Sequence, residues 1–365
     1  MAKLYNGNGE IITVSGDGGG GITSAQIKTA FLSAVASGDV NLGSAIGATL
    51  SYTSPGTPWE RNAETAYQNL LTAYKTIPNS GIPFFISTDQ HGRGVEVNRW
   101  LNNNDKAVNG MEVMNLNLGD TVIDVFNEYE LSGIYNRSWQ IKNHIMVFGN
   151  HEIKASTENP NLYDLNRWFI STRGRKFYVG PMGCFTVYDD AHSVKYVCVA
   201  NYYQMGGGIE RGLDADSAEW LVNELAKNDG YDIVYLQHWP VFTTKRLRGD
   251  DAETADNENH SGSYNYKIWR LLVERKNKES GTFTDSLGGE HTYDFADCEH
   301  DLLITLHGHN HQEEISTVDG LTAYATDILG DNRCCTFGLI DRLNSKVTFW
   351  VFDSTGCLEP LELAI

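Results

Sequence analysis

Side chains able to hold or work beside a divalent cation recur at five places along the chain: Asp89 and His91, then Asp120, then Asn150 and His151, then His238, then His309 and His311. Two divalent ions about 3.5–4 Å apart need oxygen and nitrogen ligands, one carboxylate shared between them, and open positions for water and substrate. These residue types supply every part. Gly119, Gly149 and Gly308 stand directly before Asp120, Asn150 and His309. A residue without a side chain lets the backbone turn there and leaves room beside the ligand. His307 precedes Gly308 and is read as packing against or orienting a neighbour, while His144, His192, His260, His291 and His300 are read as hydrogen-bonded structural or surface residues.

Each of the five places closes an apolar run: IPFFISTDQH, EVMNLNLGD, HIMVFGNHE, YDIVYLQHWP and DLLITLHGHNH. Such runs read as buried strands, and LDADSAEWLVNELAKND reads as an amphipathic helix with Leu213, Trp220, Leu221, Val222 and Leu225 as its apolar set. Alternating strand and helix suggests layered α/β, in which ligands bind beyond the carboxyl ends of strands. VKYVCVANYY, GLTAYATD, CCTFGLID and KVTFWVFD add further strands, the last two forming a hairpin over RLNS.

The start of the chain has a different texture. A glycine-rich stretch leads to Thr23 and Gln26 in capping-box spacing, with Ile27, Phe31, Ala34 and Val35 on one helical face and Gly38 as a stop. A second apolar stripe runs through Trp59, Ala63, Tyr67, Leu70 and Tyr74. Residues 1–55 are therefore expected to be a leader and short helix, an attachment segment, and residues 56–365 the main domain. The leader is loosely similar to the openings of some phage and prophage virion proteins.

The ordered series Asp89-Gln90-His91, Gly119-Asp120, Gly149-Asn150-His151-Glu152, His238-Trp239-Pro240 and Gly308-His309-Asn310-His311 resembles the calcineurin-like metallophosphoesterase family, over residues 81 to 312. The resemblance implies a four-layer αββα sandwich with the ions at the strand ends. It also implies two divalent ions, Mn, Fe or Zn: Asp89, His91 and His311 on the first, Asn150, His238 and His309 on the second, Asp120 bridging. In the members most like calcineurin, Gly-Asp is followed after two residues by Asp-Arg. Here GDTVIDVF places Asp124 one position later and has no arginine, which argues against a protein phosphatase. Arg93 is the nearest alternative for binding phosphate.

The expected reaction is hydrolysis of a phosphomonoester or phosphodiester by a metal-bridging hydroxide, with His151 contacting the phosphoryl group and protonating the leaving alkoxide. Asp124 and Glu152 are read as solvated carboxylates, orientation of His151 being the other role open to them. The alternative is a non-catalytic phage or prophage structural or binding protein that keeps the fold. A serine hydrolase is disfavoured, because no G-x-S-x-G elbow occurs and the Asp/His/Asn series would go unexplained.

Composition bounds the partners. A formal net charge of −19 over 365 residues repels polyanions, so neither nucleic acid nor an anionic membrane is an expected partner, whereas a small phosphoester is. The polar segment from Thr243 to Asn265 is a candidate substrate-facing loop. No apolar run is long enough for a membrane helix, KTAFLSAVASG reads as an ordinary helix rather than a signal peptide, and a soluble cytoplasmic or phage-borne protein is expected. The six cysteines show no C-x-x-C spacing, and no structural disulfide is expected.

Overall fold

A computed structural model describes residues 4–5, 11–12, 81–91, 113–121, 143–152, 175–205, 208–242, 264–326, 333–353, 356–357 and 360–365. The second apolar stripe, Arg93, Asp124 and His260 lie outside these residues, as does the leader helix. In chain order the strands are β1 (Leu4–Tyr5), β2 (Ile11–Ile12), β3 (Gly81–Ser87), β4 (Met114–Asn117), β5 (His144–Met146), β6 (Phe177–Val179), β7 (Phe185–Asp189), β8 (Val194–Val199), β9 (Tyr202–Met205) and β10 (Gly208–Arg211). Helix α1 (Ala215–Ala226), β11 (Asp232–Gln237) and helix α2 (Tyr264–Asn277) follow. Then come β12 (Ser280–Thr284), β13 (Glu290–Asp294), β14 (Leu302–His307), β15 (Glu314–Val318), β16 (Leu321–Ala325), β17 (Arg333–Asp341), β18 (Lys346–Asp353), β19 (Gly356–Cys357) and β20 (Leu361–Ala364).

Two mixed seven-stranded sheets form the body. One has the order β19-β18-β17-β3-β4-β5 with β20 beside β18, and the other β15-β16-β14-β11-β8-β7-β6. Within the first, β3, β4 and β5 run parallel; within the second, β8, β11, β14 and β16 do. The expected hairpin exists, with β17 and β18 joined by a 3-10 turn at Arg342–Asn344.

Alternation along the strands decides the layering. Ile82, Phe84 and Ile86 of β3 meet Tyr196 and Cys198 of β8, Val234 and Leu236 of β11 and Ile304 and Leu306 of β14 in one core between the sheets. The residues of opposite parity, Val197, Val199, Ile233 and Tyr235, face a second core with Leu221 and Leu225 of α1 and Ile268 and Leu272 of α2. Full burial of each such leucine or isoleucine contributes about 1.5–3 kcal/mol. Helix α1 starts where the sequence suggests, because the Asp214 carboxylate accepts the Ser217 N–H at 2.9 Å as its N-cap.

The result is a mixed α/β sandwich of helices, sheet and sheet. The second helical layer that the resemblance implies is an expectation that lies outside the described residues. Helix α2 shortens the expected polar segment, since Tyr264 and Asn265 belong to its first turn and Asn265 is buried. Cys184, Cys198 and Cys298 are buried free thiols. No helix among the described residues is long and apolar enough to cross a membrane.

Candidate metal centre

Five parallel strands from two sheets end at one place. Asp89 and His91 follow β3, Asp120 follows β4, Asn150 and His151 follow β5, His238 follows β11, and His309 and His311 follow β14. Their ligand atoms form three overlapping groups, each within 4.8 Å: Asp89 with His91 and His311, Asp120 with His238 and His309, and His91 with Asp120 and His151. In the first, His311 Nε2 lies 2.9 Å from Asp89 Oδ1 and 3.0 Å from His91 Nε2. In the second, His238 Nε2 lies 3.2 Å from Asp120 Oδ2, 3.2 Å from Asn150 Oδ1 and 3.2 Å from His309 Nδ1, and the Asn150 Oδ1 to His309 Nδ1 distance is 3.1 Å. All seven expected ligands and His151 are thus brought together.

These atoms suit cations better than they suit one another. Asp89 is fully buried; its Oδ2 accepts the Thr88 hydroxyl at 2.7 Å and the His309 N–H at 2.8 Å, leaving Oδ1 turned into the first group without an aligned hydrogen bond. His238 Nδ1 donates to the Leu118 carbonyl at 2.6 Å, which points Nε2 at the second group. Mixed imidazole, carboxylate and amide oxygen donors fit divalent first-row metals such as Mn, Fe and Zn. The residues present therefore fit divalent metal ions.

Proton affinities follow from the same crowding. Burial opposes a charge on His238, but Asp120 beside it outweighs that and raises its pKa to about 9. Burial also raises the Asp120 carboxyl, and His238 more than offsets this to leave it below the usual carboxylate range. Asp89 is likewise pushed up by burial and held below that range by His311, His238 and His309. His309 is lowered to about 3, by burial first and by the charge of His238 second, and burial lowers His91 as well. Neutral imidazoles and ionised carboxylates are the states that bind metal, so His238 has to give up its proton to an incoming ion.

The backbone is bent to make this possible. Asp89, His91, Asp120, His309 and His311 have φ of 52°, 43°, 53°, 72° and 50°, in the left-handed region that costs a residue with a side chain about 1–2 kcal/mol. A Cβ on Gly308 would stand 1.9 Å from Thr88 Oγ1, and one on Gly149 would stand 2.1 Å from Asp120 Oδ1 and 2.5 Å from Asp120 N. Gly119 needs both freedoms, with φ +97° and a Cβ position 2.6 Å from Gly149 N. The three glycines are where backbone passes closest to the ligands.

His307 is fully buried; its Nδ1 lies 3.3 Å from the Gln237 carbonyl oxygen and its Nε2 2.9 Å from Thr305 Oγ1, so it braces β14 against β11 just below His238 and His309. His144 is buried, with its pKa lowered to about 4 by that burial; His192 pairs with Asp189 at 2.8 Å and His291 with Asp285 at 3.0 Å. Glu152 corrects an expectation. It is not a solvated carboxylate but is 5% exposed, and it accepts the backbone N–H groups of Asp120, Thr121 and Gly149. One stack had no sequence signal: the Arg211 guanidinium lies 3.8 Å from the Trp239 ring centroid, and Trp239 stacks on His309 with centroids 3.6 Å apart.

No family model matches the chain, and no curated protein matches it. Among solved structures it is similar to a 5'-nucleotidase precursor from Thermus thermophilus, at 13% identity and TM-score 0.40 over 78% of this chain and 54% of that one. It is similar to a calcineurin-like phosphoesterase from Bacillus subtilis, at 11% identity and TM-score 0.37 over 78% of this chain and 90% of that one. A third is a Plasmodium protein described as the anchor in the inner membrane complex, at 11% identity and TM-score 0.42 over 78% of this chain and 89% of that one. At such identities the function of this chain has to be argued from its own site.

Proposed function

We propose that this protein is a metal-dependent phosphoric ester hydrolase of the calcineurin-like kind, with Asp89, His91 and His311 holding one divalent ion, Asn150, His238 and His309 a second, and Asp120 shared between them. The observation that carries this reading is the convergence of all seven side chains at the carboxyl ends of five strands, where the Asp89 group and the His238 group are linked through a third that holds His91, Asp120 and His151. Bound divalent ions would polarise a phosphoryl group and make water acidic enough to serve as nucleophile near neutral pH.

The chain's own residues do the rest. Asp120 is fixed in direction because its Oδ1 accepts the His151 N–H at 2.8 Å while Oδ2 faces His238. Two divalent cations set against the two carboxylates leave an excess of positive charge, which suits a phosphoryl anion. The His151 imidazole is 26% exposed, with Nε2 3.8 Å from Asp120 Oδ2, so it lies at the open side of the cluster. From there it can contact the phosphoryl group and give a proton to the departing oxygen. His151 also falls within the group of His91 and Asp120.

A small phosphoester is the proposed partner, since the net charge of −19 works against polyanions. A non-catalytic protein on the same fold would have no need to keep every ligand, and every one is present. The test is hydrolysis of a panel of phosphomonoesters, phosphodiesters and nucleotides, with Mn²⁺, Zn²⁺ and Fe²⁺ supplied in turn. Turnover that is lost on chelation and restored by one of these ions supports the reading, whereas no turnover under any of them contradicts it.

A further inference from the structure

We infer that Glu152 is the positioning residue of the shared ligand: its buried carboxylate holds the backbone of Asp120 in the strained conformation that aims the side chain at both ions. The inference rests on the two-metal reading above and deepens it.

Asp120 cannot hold its place through local structure alone. It sits at φ 53°, directly after Gly119 at φ +97°, in a loop that has just left β4. Glu152 reaches this loop from the segment after β5. Its Oε2 accepts the Asp120 N–H at 2.8 Å and the Gly149 N–H at 2.8 Å, and its Oε1 accepts the Thr121 N–H at 2.6 Å. The tie is reciprocal, because the Asp120 carboxylate accepts the His151 N–H at 2.8 Å. Two loops that each carry ligands, Asp120 on one and Asn150 on the other, are thus locked by a carboxylate from each side.

The chemistry calls for a carboxylate rather than an amide. Three N–H donors converge on two oxygens, and charge-assisted bonds of this kind are about twice as strong as neutral ones. Glutamine has the same shape but one oxygen. With that oxygen on Asp120 and Gly149, its NH₂ would face the Thr121 N–H, donor against donor in a buried place.

The test compares wild type with E152Q. Circular dichroism melting establishes that each is folded, and calorimetric titration with Mn²⁺ gives affinity and stoichiometry. E152Q is expected to melt cooperatively and to bind Mn²⁺ about 10- to 100-fold more weakly, as when residues that orient metal ligands are changed. At saturating Mn²⁺ its kcat on p-nitrophenyl phosphate should return towards wild type with KM unchanged, because Glu152 acts through Asp120 and not on substrate. A folded E152Q with wild-type Mn²⁺ affinity overturns the inference.

Amide hydrogen exchange of wild type in EDTA keeps the inference testable should E152Q fail to fold. The Asp120, Thr121 and Gly149 amides should be protected without metal, and exchange as fast as in an unstructured chain would overturn the inference. If wild type takes up none of Mn²⁺, Zn²⁺ and Fe²⁺, the two-metal reading fails, and the role of Glu152 in holding the loop then stands or falls on exchange alone.

Discussion

Asp120 and His151 lie side by side, with His151 Nε2 3.8 Å from Asp120 Oδ2, yet they should fail differently when changed. Asp120→Asn removes the shared anion, so it should lower metal content and abolish turnover together. His151→Gln should keep nearly full metal content and lose roughly 10²–10⁴ in kcat on substrates with poor leaving groups. The loss should shrink for p-nitrophenolate, which departs without a proton. Metal analysis and kcat on both substrate types separate the two roles; equal metal loss, or equal slowing of both substrates by His151→Gln, would merge them. The clustered side chains were legible because their types and short spacings survive in one dimension, as in Asp89-Gln90-His91 and Gly308-His309-Asn310-His311. Glu152 was not, because two of its three backbone partners, Asp120 and Thr121, are more than thirty positions away and backbone N–H groups carry no residue label. The Arg211, Trp239 and His309 stack was hidden for the same reason.

The strand ends matter more than the strands themselves, and their tightest point gives a prediction. Gly149→Ala would press a methyl group into Asp120 Oδ1 and Asp120 N, a ligand atom and backbone that cannot move aside cheaply. It should cost about 1–3 kcal/mol of stability by overpacking and weaken metal binding as well. Chemical denaturation and Mn²⁺ titration measure the two effects, and a neutral outcome in both would mean that the β4 and β5 loops are not so closely apposed. At this scale, continuous apolar runs disclosed β3, β8, β11 and β14 because these central strands are buried on both faces. The strands β12 and β13 form a hairpin over Asp285–Gly289 that went unread, since SGTFT and EHTYD are half exposed and only Phe283 and Tyr293 turn inward. Strand β6 escaped for a similar reason, with Phe177, Tyr178 and Val179 all exposed at the sheet edge.

Across the whole molecule, layered α/β followed from the alternation of elements, but which strand joins which sheet did not, because pairing between β17 and β3 is a contact across the length of the chain. Among the described residues, strands β1 and β2 pair with each other and join neither large sheet. Removing residues 1–55 should therefore leave a folded chain with unchanged metal content and turnover, and loss of either would place the leader inside the catalytic unit. Far from the site, the fully buried Asp189 carboxylate is raised by burial but held below its usual range by His192 and Arg175, the latter contact being 2.5 Å. A depressed folded pKa stabilises above the unfolded value, about 3.9, and that stability is lost as pH falls through the folded value. Asp189→Asn should thus cost about 1.5–3 kcal/mol at neutral pH by removing the charge that Arg175 and His192 face, with the difference shrinking in acid; denaturation at several pH values checks it. The proposed pair of ions is read directly by atomic emission on purified, dialysed protein. Wild type is expected to hold two divalent ions per chain, and one ion or none after reconstitution with each of Mn²⁺, Zn²⁺ and Fe²⁺ would overturn the proposal.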